Sequence, residues 1–281
     1  MPELPEVETI VRALRTGTGR SSSSLPGHII QSAHFYWEGS LAAPTMAEFI
    51  QKTSGQTVVD ISRRGKFIQI QLTSGTILIH LRMSGDLRVE SGWMENGSQH
   101  PLLPHDRLAI FLDRDLQLIF NDPRKFGRVW FAEKPDAVTG SLGPEPLSDA
   151  FTAADFFKRL NKRNRQLKPL LLDQTFLAGI GNIYADESLH RARLHPCKLA
   201  ASVSEVQAKN LWSAIRETLQ LGIDRNGASI DWVYRGGEFQ NNFRVYQQTG
   251  KPCPVCGQAI ERRLVGQRGT HFCPSCQSEK D

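Results

Sequence analysis

Between residues 5 and 14 the chain sets Val7, Ile10, Val11 and Leu14 at i, i+3, i+4 and i+7, one face of a helix. Pro5 suits the first helical position, where its missing N–H leaves nothing unpaired. The spacing predicts a helix that begins almost at the N-terminus, with residues 1–4 as its lead-in. From about residue 56 to 132 the period falls to two. "KFIQIQL", "TILIHLRM", "RLAIFLD", "LQLIFND" and "RVWFAE" read as short strands separated by Gly, Asn, Asp or Ser turns, with a longer loop at 91–106. This half is expected to be an antiparallel β-sandwich or flattened barrel with the leading helix packed on it.

The pattern changes again after a Pro- and Gly-rich stretch, "EKPDAVTGSLGPEPL" (133–147), which reads as a linker. Thr152 and Asp155 form a capping box before "FFKRL". "GNIYADESLHRARLHP" reads as a helix stopped at Pro196, and Ser202 with Glu205 as the cap of a long amphipathic helix bearing Leu211, Ile215 and Leu219. The expected organisation is an α+β multidomain chain: a β-sandwich domain at 1–132, the linker, a helical domain at 148–248 and a metal module at 249–281.

At 281 residues, 40% hydrophobic and 22% charged, the composition is that of a folded globular protein with a sizeable core. The start is acidic and its first apolar run is broken by Arg12 and Arg15, unlike a signal peptide. No stretch approaches the ~18 apolar residues of a membrane span. A cytoplasmic, monomeric protein is expected. The net charge of +5 is modest, so its distribution carries the information. "KRLNKRNRQLK" (158–168) holds six basic residues and no acidic one, which suits either a solvated helix face or a nucleic-acid contact.

Four of the five cysteines form two pairs, Cys253-Pro-Val-Cys256 and Cys273-Pro-Ser-Cys276, 16 residues apart. That spacing is the signature of a structural zinc ribbon: each pair offers two thiolates from a tight turn, and four thiolates close a tetrahedron around one Zn²⁺. Two disulfides are the other pairing, which a reducing compartment disfavours. A cation with four sulfur ligands has no position for water, so its expected role is structural. Arg262, Arg263, Arg268 and His271 lie between the pairs and suit phosphate contact. Cys197 reads as a small, partly buried thiol.

The opening "MPELPEVET" can be a plain helix start, with acids near the positive end of the dipole. It can also be chemistry. Removal of Met1 before a small residue leaves Pro2 a secondary α-amine, whose ordinary pKa near 7.7–8.0 keeps a nucleophilic fraction at neutral pH. Its attack on an aldehyde-like carbon gives an iminium ion, a Schiff-base electron sink, and the adjacent Glu3 can shuttle protons.

"PELPEVET" at the N-terminus, "LGPEPL" (142–147), "GIGNIYADE" (179–187) and "CPVCG…QRGTHFCPSCQ" together resemble formamidopyrimidine-DNA glycosylase, a bacterial family that excises oxidised purines. The motifs run in order from residue 2 to residue 277. The resemblance implies an N-terminal β-sandwich with a leading helix, a helix–two-turn–helix domain and a zinc-finger hairpin. It implies that Pro2 attacks C1′ of the damaged nucleotide while Glu3 moves protons, with β- and δ-elimination cutting the strand, and that Glu6 lies beside the site. Lys66 in "RRGKF" matches the lysine that supports β-elimination. Asn182 and Arg268 match residues that grip the phosphates flanking the flipped nucleotide, Arg268 also serving as proton donor in the second elimination. His105, Arg163, Lys168 and His80 match further backbone-contact positions. Extrusion of a base requires something to fill the gap. Met83, Arg124 and Phe126 match the trio that does so, with Phe126 as the wedge and Arg124 facing the orphaned base.

Two segments depart from the family pattern: "VYQQTG" (245–250) replaces a Tyr-Gly step, and 226–243, where the family closes a loop over the base, has no residue-by-residue match. The expected partner is double-stranded DNA carrying oxidised bases or abasic sites. Leu4 and the Met83, Arg124 and Phe126 set favour the purine branch over a sister family acting on oxidised pyrimidines. Intact Pro2, Glu3 and Lys66 disfavour a catalytically silent damaged-DNA-binding protein. A zinc-ribbon factor for protein contacts is a third reading, and it predicts no salt-sensitive DNA affinity.

Overall fold

The computed structural model describes all residues except 20, 92–102, 230–235 and 280–281. Two units divide the chain. One holds Met1–Pro2 and Glu6–Ser141; the other holds Glu3–Pro5, Leu142–Ala228 and Gly236 onward.

The first unit is built from α1 (Leu4–Thr16) from Glu6 onward, β1 (Ile30–Phe35), β2 (Leu41–Ala43), α2 (Met46–Thr53), β3 (Val58–Arg64), β4 (Phe67–Leu72), β5 (Thr76–His80), β6 (Asp86–Ser91), β7 (Asp106–Leu112), β8 (Leu116–Asn121), β9 (Arg128–Ala132) and the short α3 (Asp136–Thr139). The strands form two sheets, ordered β1-β7-β8-β6 and β2-β9-β5-β4-β3. One core serves both sheets and the helix, and Val7, Ile10, Val11 and Leu14 of α1 are all in it. Burial of each such side chain contributes on the order of 2 kcal/mol before chain entropy is set against it.

The helix begins at Leu4, one residue earlier than expected, so Pro5 occupies its second position. The β region also begins earlier, at Ile30, and it is not wholly antiparallel. The three-residue β2 runs parallel to β9. Residues 133–147 are not featureless, since α3 lies within them.

The second unit contains α4 (Ala153–Asn161), α5 (Leu167–Leu171), α6 (Asn182–Arg191), α7 (Glu205–Asp224) and a hairpin of β10 (Glu261–Val265) and β11 (Arg268–Phe272). The expected capping box on α4 is present: Thr152 Oγ1 accepts the Asp155 N–H while the Asp155 carboxylate accepts from the Thr152 N–H. α7 differs from expectation, being capped by Ser204 with Gln207. The sequence "SVSEVQ" holds two overlapping box frames, and a 3₁₀ turn at Ala200–Ser202 leaves the second one in register. α6 ends at Arg191, before Pro196; Arg193 takes a positive φ of 55° and turns the chain away. The hairpin turns through Gly266 and Gln267, both at positive φ, as a two-residue turn requires.

Candidate active site and nucleic-acid interface

Glu3 is buried at the start of α6. Its Oε1 accepts the Ile183 N–H at 3.0 Å and its Oε2 the Tyr184 N–H at 3.4 Å. Gly181, the N-cap of α6, supplies no side chain of its own, so the Glu3 carboxylate serves two of the helix's orphan donors at the positive end of its dipole. The adjoining peptide is fastened too: the Leu4 N–H donates to the Gly179 carbonyl at 3.0 Å. These contacts explain the glycines of "GIGN". A Cβ on Gly181 would sit 2.2 Å from Glu3 Cδ, and one on Gly179, at φ +88°, would sit 2.6 Å from Leu4 Cδ1. Pro2, immediately before Glu3, is buried.

The same helix end carries Asn182, whose Nδ2 donates to the Gly269 carbonyl at 3.0 Å. The Lys168 ammonium donates to that carbonyl at 3.0 Å and to Asp186 Oδ1 at 2.5 Å. Asp186 Oδ2 in turn accepts the His271 N–H at 2.9 Å. Gly269 and His271 belong to β11, so this network fixes the strand whose first residue, Arg268, is exposed. Glu3 and Asn182 thus share the start of α6, and Arg268 begins the strand that Asn182 holds.

Lys168 is not placed as expected. Its side chain is wholly buried, out of reach of a DNA phosphate, and burial outweighs the pull of Asp186 to lower its pKa. It holds the hairpin instead. The basic run is likewise no single helix face: α4 ends at Asn161, Arg165 pairs with Asp173 at 2.7 Å, and Arg163 is exposed.

In the first unit a second cluster forms around the buried Asp122. Its Oδ1 accepts from Ser84 Oγ and from the Arg124 N–H at 3.2 Å; its Oδ2 accepts the Gly127 N–H at 2.7 Å. Asp122 thereby ties the turn holding Met83 to the turn holding Arg124 and Phe126. Met83 and Phe126 are 41% and 47% exposed, which is unusual for such apolar side chains and suits residues that leave water on binding. The Arg124 guanidinium lies 5.0 Å over the Phe126 ring. The Asp122 N–H donates to the His105 carbonyl at 2.9 Å, so the exposed His105 joins the same knot.

Lys66 is buried at the turn between β3 and β4. His80 is buried at the end of β5, and its Nδ1 accepts the Arg82 N–H at 3.0 Å. Burial, then the charges of Arg82 and Lys66, lower its pKa to about 3. His80 is therefore held as a neutral ring at the end of its strand. Glu6 is buried on α1.

The four cysteine sulfurs lie within 4.8 Å of one another. Cys253 and Cys276 are 3.9 Å apart, and Cys256 and Cys273 3.5 Å. Bonds of 2.3 Å to a tetrahedral zinc place sulfurs about 3.8 Å apart, whereas a disulfide needs about 2.05 Å. The spacing fits one structural Zn²⁺ and excludes disulfide pairing here. Around it, Glu187 accepts the N–H groups of Arg244, Val245 and Tyr246 at 2.8–3.1 Å, holding the segment that leads into the finger.

Residues 1–129 match the formamidopyrimidine-DNA glycosylase N-terminal domain, 142–233 the H2TH domain of the same family, and 250–278 the zinc finger found in FPG and IleRS. The formamidopyrimidine-DNA glycosylase of Pelotomaculum thermopropionicum is 40% identical over 290 residues, covering both chains in full. The chain belongs to the formamidopyrimidine-DNA glycosylase family. The Thermus thermophilus member is also 40% identical, over 99% of each chain. The Lactococcus lactis Fpg, solved with abasic-site DNA, superposes with a TM-score of 0.88 at 34% identity, covering 99% of this chain and 100% of that one. This glycosylase is a base-excision repair enzyme, with the glycosylase and abasic-site lyase activities of its family.

Asp186, Glu187, Ser84 and Asp122 escaped the sequence reading. The signal for the first two was present: adjacent acids in a helix with Ile183, Tyr184 and Leu189 around them. Every residue of α6 from Ile183 to His190 is buried, so these acids had to find internal partners.

Proposed function

We propose that the enzyme excises oxidised purines from double-stranded DNA in the bacterial cytoplasm, with Pro2 as nucleophile. Removal of Met1 frees the Pro2 amine. Its nitrogen bonds to C1′ of the extruded nucleotide, the N-glycosidic bond breaks, and the base leaves with a proton delivered through Glu3. The C1′–O4′ bond then opens, O4′ taking a proton, and the resulting iminium acidifies the C2′ proton. Its loss expels the 3′ phosphate, and the second elimination expels the 5′ phosphate. Lys66 and Glu6 assist the proton transfers, and Arg268 donates a proton in the second elimination. Asn182, Arg268, Arg163 and His105 contact the DNA backbone, His80 serves as an uncharged donor, and Met83, Arg124 and Phe126 fill the vacated stack.

The observation that carries this reading is the double anchoring of the residue after Pro2. Glu3 is held by two peptide N–H groups of α6, on the helical turn that also bears Asn182. Catalysis by a terminal amine needs such fixing, because a chain end otherwise frays.

The Lactococcus lactis relative has been solved with oxidised-pyrimidine DNA as well, so lesion range is the part to test. Excision is measured on duplexes carrying 8-oxoguanine, a formamidopyrimidine or thymine glycol, for the wild type and Pro2→Gly. Purine lesions are expected to be cut fastest, and Pro2→Gly to bind DNA with little excision. Preference for thymine glycol overturns the lesion assignment; undiminished turnover in Pro2→Gly overturns the nucleophile.

A further inference from the structure

His190 lies in the last turn of α6, 2% exposed, with Nε2 3.4 Å from Cys253 Sγ. Its other ring nitrogen, Nδ1, is buried and has no hydrogen-bond partner among the described residues. A sulfur that ligates zinc is a thiolate and can only accept. The ring proton therefore belongs on Nε2, and Nδ1 is left as a bare acceptor. A fold that tolerates an unpaired buried nitrogen is stabilised by what the opposite side of the ring does. Peptide N–H groups also donate to these sulfurs, at longer range: Val255 to Cys253 at 3.5 Å and Cys276 to Cys273 at 3.4 Å. Gln277 ties the finger to the residues following α6, donating to the Leu194 carbonyl at 2.8 Å and accepting the Cys273 N–H at 2.9 Å. His190 makes the corresponding link to the first cysteine pair.

We propose that His190 is a positioning residue of the metal centre: its Nε2–H donates to the Cys253 thiolate, drawing charge from the sulfur and locking the first cysteine turn to α6. The proposal rests on the zinc assignment of the four cysteines. Outer partners of metal ligands orient them and strengthen retention of the ion. This one connects the metal to the helix whose other end carries Asn182 and is capped by Glu3.

His190→Phe keeps a ring and removes both nitrogens; His190→Gln restores an N–H. Full-length protein is titrated against a competing chelator, and the site is also loaded with Co²⁺ to read the sulfur-to-metal charge-transfer band. The Phe variant is expected to hold zinc about tenfold less tightly or worse. Its Co²⁺ band should move to longer wavelength, as sulfur regains electron density, and the Gln variant should move it back. Wild-type zinc affinity with an unmoved band in the Phe variant overturns the proposal. If that variant fails to fold, the ¹¹³Cd-loaded wild type decides by NMR. A scalar coupling from the His190 Nε2 proton to cadmium supports the bond, and a ring protonated at Nδ1 without coupling overturns it.

Discussion

Glu3 Oε1 accepts the peptide N–H of Ile183 at 3.0 Å, joining the N-terminal segment to a helix 180 positions away. The opening acid and the "GIGN" glycines are therefore one device. Gly181→Ala drives a methyl group to 2.2 Å from Glu3 Cδ and must displace the carboxylate. A shift of about 1 Å at a catalytic group lowers turnover roughly 100-fold. Single-turnover excision should fall by that order while zinc content stays at one per chain.

The turn that carries Arg124 and Phe126 depends on Asp122. Asp122→Ala strands the Ser84 hydroxyl and the Gly127 N–H and leaves the Arg124 N–H only its 3.2 Å bond to Ser84 Oγ, so stability should drop by about 2–4 kcal/mol. Chemical denaturation measures this. Where the variant is folded, discrimination of the base opposite the lesion should weaken, since Arg124 is held less firmly.

Lys168 and Arg163 lie close in sequence and should differ in kind. Arg163→Ala removes an exposed cation and should reduce the slope of log K against log salt by about 0.9, the share of one phosphate contact. Lys168→Met should leave that slope alone and instead destabilise the fold by about 3–5 kcal/mol, because Asp186 is left buried without its partner. Salt-dependent DNA titrations and thermal melts separate the two.

His80 makes the protein acid-sensitive. Its pKa falls from 6.5 in the unfolded chain to about 3 in the folded one, first through burial. Between these values the unfolded state binds the extra proton, so stability rises with pH across the window and levels off above 6.5. His80 accounts for about 2 kcal/mol lost between pH 7 and pH 5. In His80→Gln the difference between urea midpoints at these two pH values should shrink accordingly.

The features readable in the sequence were those whose cause is local. The cysteine pairs predict their metal because each pair is a turn unto itself, and the α1 face follows from four aliphatic positions. α2 passed unnoticed: only Phe49 and Thr53 of its eight residues are buried, too few to show a period. β2 is three residues long and shows no alternation that a parallel partner would reveal. Lys168 stands in the apolar run "LKPLLL", which hints at burial, yet its partner Asp186 lies on another helix and nothing local pairs them. The N-terminal acid is the extreme case. Pro2 and Glu3 look like any helix start until the α6 N-terminus closes on the carboxylate.

The central claim is that the Pro2 nitrogen bonds to deoxyribose carbon, and reductive trapping reads that bond directly. Protein lacking Met1 is incubated with abasic-site or 8-oxoguanine duplex, reduced with borohydride, digested and sequenced by mass spectrometry. The predicted result is a reduced sugar adduct on the peptide beginning Pro2-Glu3-Leu4, located on the proline nitrogen. An adduct on Lys66, or efficient strand cutting by protein that retains Met1, would contradict it.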